Sequence, residues 1–333
     1  MSVSVTTTAT EQMTIGRSDI RVAPLGVGTW AWGERRLWGY GADFGRDDIA
    51  AAVRASVEAG VTLFDTAEMY GRGQSEQLLG EAARETGAPV TVATKFAPWP
   101  WRLGARTLRS ALAGSLRHLG REQIDLYQIH WPYTLLSNAA LMDALADAVA
   151  DGEVRAVGVS NYSAGQMQRA HEALARRGVP LASNQVQYSL LHRRPETDGV
   201  LAACRELGIT LIAYSPLAQG LLTGKYRPDA GPRPPGFRGR LPQFREANLR
   251  AVAGLLDLLR GIGEDHAGSG AGGHGGKTPA QVALNWLIRQ PGVLPIPGAK
   301  NGAQAAANAG ALGWALDERE VEALRAATTR WCG

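Results

Sequence analysis

Four side chains in this sequence have the types and spacing of a reaction centre: Asp65, Tyr70, Lys95 and His130. Each stands at or just past the end of a short apolar run, in the contexts LFDTAEMYG, VTVATK and LYQIH. A free phenol has a pKa near about 10 and exchanges protons poorly at neutrality. An ammonium within hydrogen-bond reach favours the phenolate, so Lys95 is expected to lower the Tyr70 value. Such a tyrosine serves as acid in one direction of a reaction and as base in the other. Asp65 can hold the ammonium charged and oriented, and His130 can direct a donor at a substrate oxygen. The set suits proton delivery to a carbonyl oxygen while hydride arrives from a cofactor. Taken singly, each residue has an ordinary explanation: a tyrosine after a strand packs, and an aspartate at a strand end caps a helix. Together at successive strand ends they point to a site assembled from several strands, as in a (β/α)8 barrel.

The elements that would position them follow from the pattern of the chain. Short β-type runs at Pro24–Trp30, Thr62–Asp65, Val90–Lys95, Ile124–His130, Val154–Ser160, Ser183–Gln187, Ile209–Tyr214 and Val293–Ile296 alternate with helical stretches. These include Ser75–Glu85, Ala105–Leu119, Asn138–Ala150, Ala164–Arg177, Pro195–Leu207, Arg245–Gly261, Gln304–Asn308 and Glu318–Ala327. Several of the strands are nearly continuous apolar runs, as in a parallel sheet buried on both faces. Eight strand–helix units in 333 residues predict one closed (β/α)8 TIM barrel spanning the chain. Met13–Ile15 and Ile20–Val22 predict a β-hairpin capping the barrel floor. Residues 1–12 read as a disordered tail and residues 263–276 as a glycine-rich surface insertion. Thr278-Pro279 supplies an N-cap and a proline at the first helical position. The loop from Pro216 to Phe244 is long enough to be functional or mobile.

Bulk properties narrow the class. The chain is 45% hydrophobic and 20% charged, with a net charge of +4 and scattered basic residues. Nothing in that distribution forms a nucleic-acid or membrane footprint. Cys204 and Cys332 lie far apart and form no CxxC, so they read as free thiols in a reducing compartment. The N-terminal segment lacks the features of a signal peptide, and a cytoplasmic protein is expected, monomeric or homo-oligomeric. Two motifs are decoys. AGGHGGKT at Ala271–Thr278 has no strand before it to aim a phosphate nest, and His266 and His274 lack ligand partners, so no metal is expected. GVGTWA at Gly26–Ala31 is followed by Trp32, Gly33, Trp38, Gly39 and Gly41, a loop composition rather than the helix a dinucleotide fold needs.

The run Asp65-Thr66-Ala67-Glu68-Met69-Tyr70-Gly71, with Ala93-Thr94-Lys95 and Ile129-His130, resembles the catalytic motifs of the aldo-keto reductase superfamily, from about Met13 to Ala327. That resemblance implies a catalytic tetrad of Asp65, Tyr70, Lys95 and His130, and NADPH as cofactor. By the same resemblance Ser160, Asn161 and Gln185 would bond the nicotinamide carboxamide, with Tyr214 stacked on the ring and Ser215 beside it. Leu217, Gly220, Leu222 and Lys225 would cradle the pyrophosphate. Gly298, Lys300, Gln304 and Asn308 would form the adenine end, Lys300 meeting a 2′-phosphate. Ala307 departs from the family's frequent Glu before that asparagine, which removes a polar contact. WAWGERRLWGYG and SPLAQGLLTGKY look most like the branch of pyridoxal-reductase-like and channel-β-subunit-like members. The implied activity is reduction of an aldehyde or ketone to an alcohol, pyridoxal and aromatic aldehydes being candidate substrates. The alternative is a non-catalytic NADPH-binding regulatory or redox-sensing subunit.

Six of the nine tryptophans, Trp30, Trp32, Trp38, Trp99, Trp101 and Trp131, follow the first, third and fourth strands. Clustered on one barrel face, they predict a deep aromatic pocket for a small carbonyl substrate, with Trp30, Trp32, Trp99 and Trp131 as its walls. Trp286 and Trp314 read as structural.

Overall fold

Apolar strands that bury both faces need helices outside and side chains inside, and the chain meets both demands by closing on itself. The structure is a computed structural model that describes residues 11–102, 104, 106–133, 137–228, 232–234, 236–267 and 275–332. Residues 1–10 of the expected tail and 268–274 of the expected insertion lie outside the described residues.

The chain opens with an antiparallel hairpin, β1 (Met13–Thr14) and β2 (Arg21–Val22). There follow β3 (Val27–Gly28), α1 (Arg46–Glu58), β4 (Leu63–Asp65), α2 (Gln74–Thr86), β5 (Thr91–Phe96) and α3 (Arg106–Leu119). Next come β6 (Ile124–Ile129), α4 (Asn138–Ala150), β7 (Val154–Ser160), α5 (Ala164–Ala175), β8 (Leu181–Gln187) and α6 (Val200–Leu207). The last part holds β9 (Thr210–Tyr214), α7 (Glu246–Asp265), α8 (Pro279–Ile288), β10 (Val293–Pro295), α9 (Gly302–Ala309) and α10 (Glu318–Ala327). β3 to β10 form one parallel sheet in sequence order. A parallel bridge between Gly28 and Gly298 joins its two edges, supported by Gly26 N–H to Pro295 O and Gly28 N–H to Pro297 O, both 3.0 Å. The architecture is a (β/α)8 barrel, and GVGTWA is no dinucleotide turn, since no helix begins between Gly26 and Arg46.

Two apolar layers hold it. Inside, Leu63, Ala93, Leu126, Ala156, Ala182, Ile212 and Leu294 meet Ile15, Ile20 and Val22 of the hairpin. Outside, Phe64, Tyr127, Val157 and Leu211 point from the strands to helix residues such as Leu79, Leu145 and Leu284. Each fully buried leucine among them stabilises the fold by roughly 2–3 kcal/mol. The hairpin sits on the floor: a Cβ on Gly16 would lie 2.4 Å from Ala182 O, and Asp19 pairs with Arg155 at the start of β7 at 3.0 Å.

Helix starts follow their caps. Ser163 with Gln166, Thr278 with Gln281, and Asp317 with Glu320 form reciprocal capping boxes, and Ser137 caps α4. Besides a β3 shorter than its expected run, the structure differs from the expected elements in two places. The stretch Pro195–Leu207 is not one helix, because Gly199 at φ 83° separates a short 3-10 turn from α6. α7 runs to Asp265, past the expected end and into the expected insertion, because Gly263 is seated against the Lys277 backbone, whose N–H reaches Gly263 O at 2.7 Å. Among the described residues no helix is long and apolar enough to cross a membrane.

Candidate active site

The C-terminal strand ends carry the reactive side chains. Asp65 is the last residue of β4, Lys95 lies in β5, and His130 directly follows β6. Tyr70 opens a 3-10 turn after β4 in which Gly71 and Arg72 take left-handed backbone. The four converge. Lys95 is fully buried and its Nζ donates to Asp65 Oδ1 at 2.5 Å and to Thr66 O at 2.8 Å. The same nitrogen lies 5.1 Å from the Tyr70 ring centroid, and the Tyr70 and His130 rings meet edge-on at 5.7 Å.

The electrostatics correct one expectation. Burial, and after it the Asp65 carboxylate, hold the Tyr70 phenol above its ordinary value. Burial and Asp65 outweigh any acidifying effect of Lys95, whose ammonium directs its hydrogen bonds to Asp65 and Thr66. Burial pulls the Lys95 amine down, while Asp65 and then Glu76 work in the opposite direction. Burial, then Lys95, lowers the His130 imidazole to about 2, so the ring is neutral, and its buried Nδ1 has no partner among the described residues. This arrangement offers a protonated phenol, a neutral imidazole and a buried cation around one space.

Asp65 is held from further sides. Its Oδ2 accepts from Gln185 Nε2 at 2.7 Å and from Gln128 Nε2 at 3.3 Å. Gln128 pairs with Lys95 in the β5–β6 ladder and is steadied by Ser183 Oγ, 3.3 Å from its Oε1. Gly158 leaves room for that contact, since a Cβ there would lie 2.2 Å from Ser183 Oγ. Sequence reasoning missed Gln128, although a polar residue inside the apolar run LYQIH is the available signal.

Ser160, Asn161, Gln185 and Tyr214 form one connected group. Ser160 Oγ donates to Gln185 O at 2.8 Å, Asn161 Nδ2 to His130 O at 3.0 Å, and Tyr214 OH to Asn161 Oδ1 at 3.1 Å. Asn161 and Ser215 both have left-handed backbone, φ 60° and 50°. Such conformations cost energy and collect at functional sites.

A second group lies at the end of β10 and in the long loop. Lys300 Nζ donates to Trp38 O at 2.5 Å, its N–H meets Gln304 Oε1 at 2.9 Å, and Asn308 Nδ2 reaches Gly298 O at 3.2 Å. Burial, then the Arg238 and Lys225 charges among its neighbours, lower the Lys300 amine. Asp43 and Glu34 act on Lys300 in the opposite direction, yet none of Lys225, Arg238 and Lys300 forms an ion pair among the described residues. Arg238 is buried, lies 4.7 Å from the Trp38 ring centroid, and keeps a buried Nε without a partner among the described residues. Nothing in the pattern of its Pro/Gly-rich segment marks it out. Leu222 is fully buried in the core, so only its backbone can face a ligand, and Gly220 takes φ 98°.

The tryptophans divide. Trp32 is fully buried, tilts against Phe64, and gives its indole N–H to Ala299 O at 2.8 Å. It is a core residue, which corrects its expected place in a pocket wall. Trp99 stacks on Trp101 with centroids 5.3 Å apart and meets Trp131 edge-on, while Trp131 tilts against His130 at 4.6 Å. Trp101 is 71% exposed, so these rings make an open platform rather than a deep pocket. Trp30 is exposed and packs edge-on to Trp38 at 5.5 Å.

Comparison with known proteins fits this geometry. Residues 24–329 match the Aldo/keto reductase family. The chain is 42% identical over 317 residues to a protein named pyridoxal reductase, chloroplastic, from Arabidopsis thaliana, covering 90% of this chain and 82% of that protein. A glycerol dehydrogenase structure from Gluconobacter oxydans superposes with a TM-score of 0.78 at 29% identity, covering 97% of this chain and 96% of that one. An aldo-keto reductase from Klebsiella pneumoniae, solved in complex with NADPH, superposes with a TM-score of 0.73 at 28% identity, covering 96% and 95%.

Proposed function

This chain belongs to the aldo/keto reductase family of oxidoreductases, and on that premise we propose that it is an NADPH-dependent aldehyde reductase with Tyr70 as proton donor. The observation that carries the reading is the convergence of Asp65, Tyr70, Lys95 and His130 around one space at the barrel mouth.

The residues fit a dinucleotide phosphate at both ends. Arg238 and Lys225 both bear on Lys300, and the Arg238 Nε, without a partner among the described residues, adds a donor suited to an anion. Ser160, Asn161 and Gln185 offer the hydroxyl and amides that complement a carboxamide, and Tyr214 and Ser215 stand beside them. Leu217, Gly220, Leu222 and Lys225 would face the pyrophosphate, with Gly298, Gln304 and Asn308 toward the adenine. Bound there, NADPH supplies the hydride for the carbonyl carbon. The chain's own residues handle the proton. Tyr70, kept protonated by its surroundings, gives its proton to the carbonyl oxygen as the carbon is reduced, and the product is an alcohol. Lys95 stabilises the phenolate left behind, and Asp65 orients Lys95. Neutral His130 orients the carbonyl, and the phenolate regains its proton from solvent.

The open Trp99–Trp101 stack beside Trp131 suits a flat aromatic aldehyde. The name of the Arabidopsis relative favours pyridoxal within that class. Incubating the purified protein with NADPH and a panel of aldehydes, pyridoxal and benzaldehyde among them, tests the reading. Aldehyde-dependent loss of NADPH absorbance is expected; a panel that leaves the absorbance unchanged would falsify it.

A further inference from the structure

Behind the site, on the outer side of strand β5, lies a buried carboxylate that the proposed reaction does not use. We propose that Glu76 is a positioning residue for the same reaction: its charge, placed across β5 from Lys95, keeps that side chain an ammonium. The proposal rests on the reading that Lys95 supports Tyr70 as proton donor.

Glu76 is fully buried in the first turn of α2. An acidic residue in a helix's first turn has a plain explanation, satisfaction of the free backbone N–H groups. Its contacts run elsewhere. Thr94 Oγ1 donates to Glu76 Oε1 at 2.6 Å, and His118 Nδ1 of α3 lies 2.9 Å from Glu76 Oε2. The His118 ring is seated against Gly73, where a Cβ would come within 2.4 Å of its Cε1. Thr94 and Lys95 are neighbours on one strand, and alternate residues of a strand face opposite sides. Thr94 therefore receives the carboxylate on the helix side, while Lys95 meets Asp65 on the barrel side.

A buried ammonium is costly unless carboxylates compensate it. The ionisable groups around Lys95 are Asp65 from β4, Glu76 from α2, Tyr70 from the turn after β4, His130 after β6 and Tyr214 at the end of β9. Asp65 and Glu76 are the carboxylates among them. Tyr127, on the same outer side of the sheet, has its phenol raised by burial and then by the Glu68 and Glu76 charges, and its buried hydroxyl has no partner among the described residues.

The test compares Glu76→Gln, which keeps shape and removes charge, with Thr94→Val, which removes the hydrogen bond and keeps charge. Reductase kcat is measured against pH. Wild type is expected to be flat through neutrality and to fall on the alkaline side as Lys95 loses its proton. In Glu76→Gln that fall begins earlier, so its kcat relative to wild type drops about tenfold from about pH 6 to about pH 9, with KM little changed. Thr94→Val keeps the wild-type profile.

Thermal unfolding gives a readout without catalysis. Loss of Glu76 lets folded Lys95 deprotonate at lower pH, so the unfolded chain binds more protons than the folded one over a wider range. Stability of the variant then recovers as pH rises. Its Tm deficit should be largest near about pH 6 and shrink toward about pH 10. A purely structural Glu76 gives a deficit and a kcat ratio that do not change with pH, and that result overturns the proposal. Wild-type protein that turns over no aldehyde sinks the reductase reading alone, and the Tm comparison still decides Glu76. If Glu76→Gln does not fold, His118→Lys sets a cation on the carboxylate from its exposed side. The same early fall in kcat is then expected, and an unchanged profile refutes the charge effect.

Discussion

The two ends of the barrel are built from the same strands and treat charge and backbone in opposite ways. At the floor, Asp19, Arg155, Asp125 and Arg121 form a chain of ion pairs at 3.0, 2.7 and 3.2 Å, and Asp125 also accepts the Val92 N–H at 2.9 Å. The hairpin closes this end with apolar side chains. At the mouth, three cations crowd together without ion pairs among the described residues. Among the described residues all five non-glycine residues with positive φ, Arg72, Asn161, Ser215, Ala218 and Gln219, follow the C-terminal ends of β4, β7 and β9. Like charges and left-handed backbone are unfavourable in an unliganded fold. The floor's interactions serve stability, whereas the mouth holds arrangements whose use is in binding and reaction.

That contrast can be broken by variants at each end. The largest effect belongs to the mouth. Tyr70→Phe is expected to lower kcat by roughly three orders of magnitude, with NADPH affinity nearly unchanged by fluorescence titration and with normal stability. Near-normal turnover would remove Tyr70 as donor. At the floor, Gly16→Ala adds a Cβ 2.4 Å from Ala182 O at a residue with φ 55°. We expect a loss of about 2–3 kcal/mol in chemical denaturation with kcat of the folded fraction unaltered. A fall in kcat there would mean that the two ends are not separable. The smallest effect is Arg238→Leu, which should weaken NADPH binding about tenfold by calorimetry. Stability should change little, because relief of the Lys300 amine is set against loss of the hydrogen bond to Tyr226 and the contact with Trp38. Unchanged affinity would take Arg238 out of the phosphate group.

The same contrast explains what could be read from the sequence. Asn138–Ala150, Val154–Ser160 and Glu318–Ala327 are elements whose ends are encoded locally, by Ser137, by continuous apolar composition and by the Asp317–Glu320 box. β3 is shorter than its apolar run because Gly26 and Gly28 are pressed against Ile296 and the chain then turns away. No local pattern carries that contact. Asp65, Tyr70, Lys95 and His130 stand out by type and by place in short motifs. Arg238 and Glu76 do not, since one lies in an irregular loop and the other looks like any acidic residue opening a helix. The state of Tyr70 also escaped local reasoning. A lysine nearby predicts an acidified phenol, but a nearer carboxylate takes the lysine and burial does the rest.

The closure between Gly28 and Gly298 has a consequence of its own. It is a seam of single contacts in a cylinder otherwise zipped by continuous ladders, and it joins the first quarter of the polypeptide to the last. Gly298 and Lys300 sit on this seam, and Lys300 already reaches across it to Trp38. A ligand gripped at that spot would act as a rivet between two distant stretches of chain, so resistance to proteolysis near either terminus would report its occupancy.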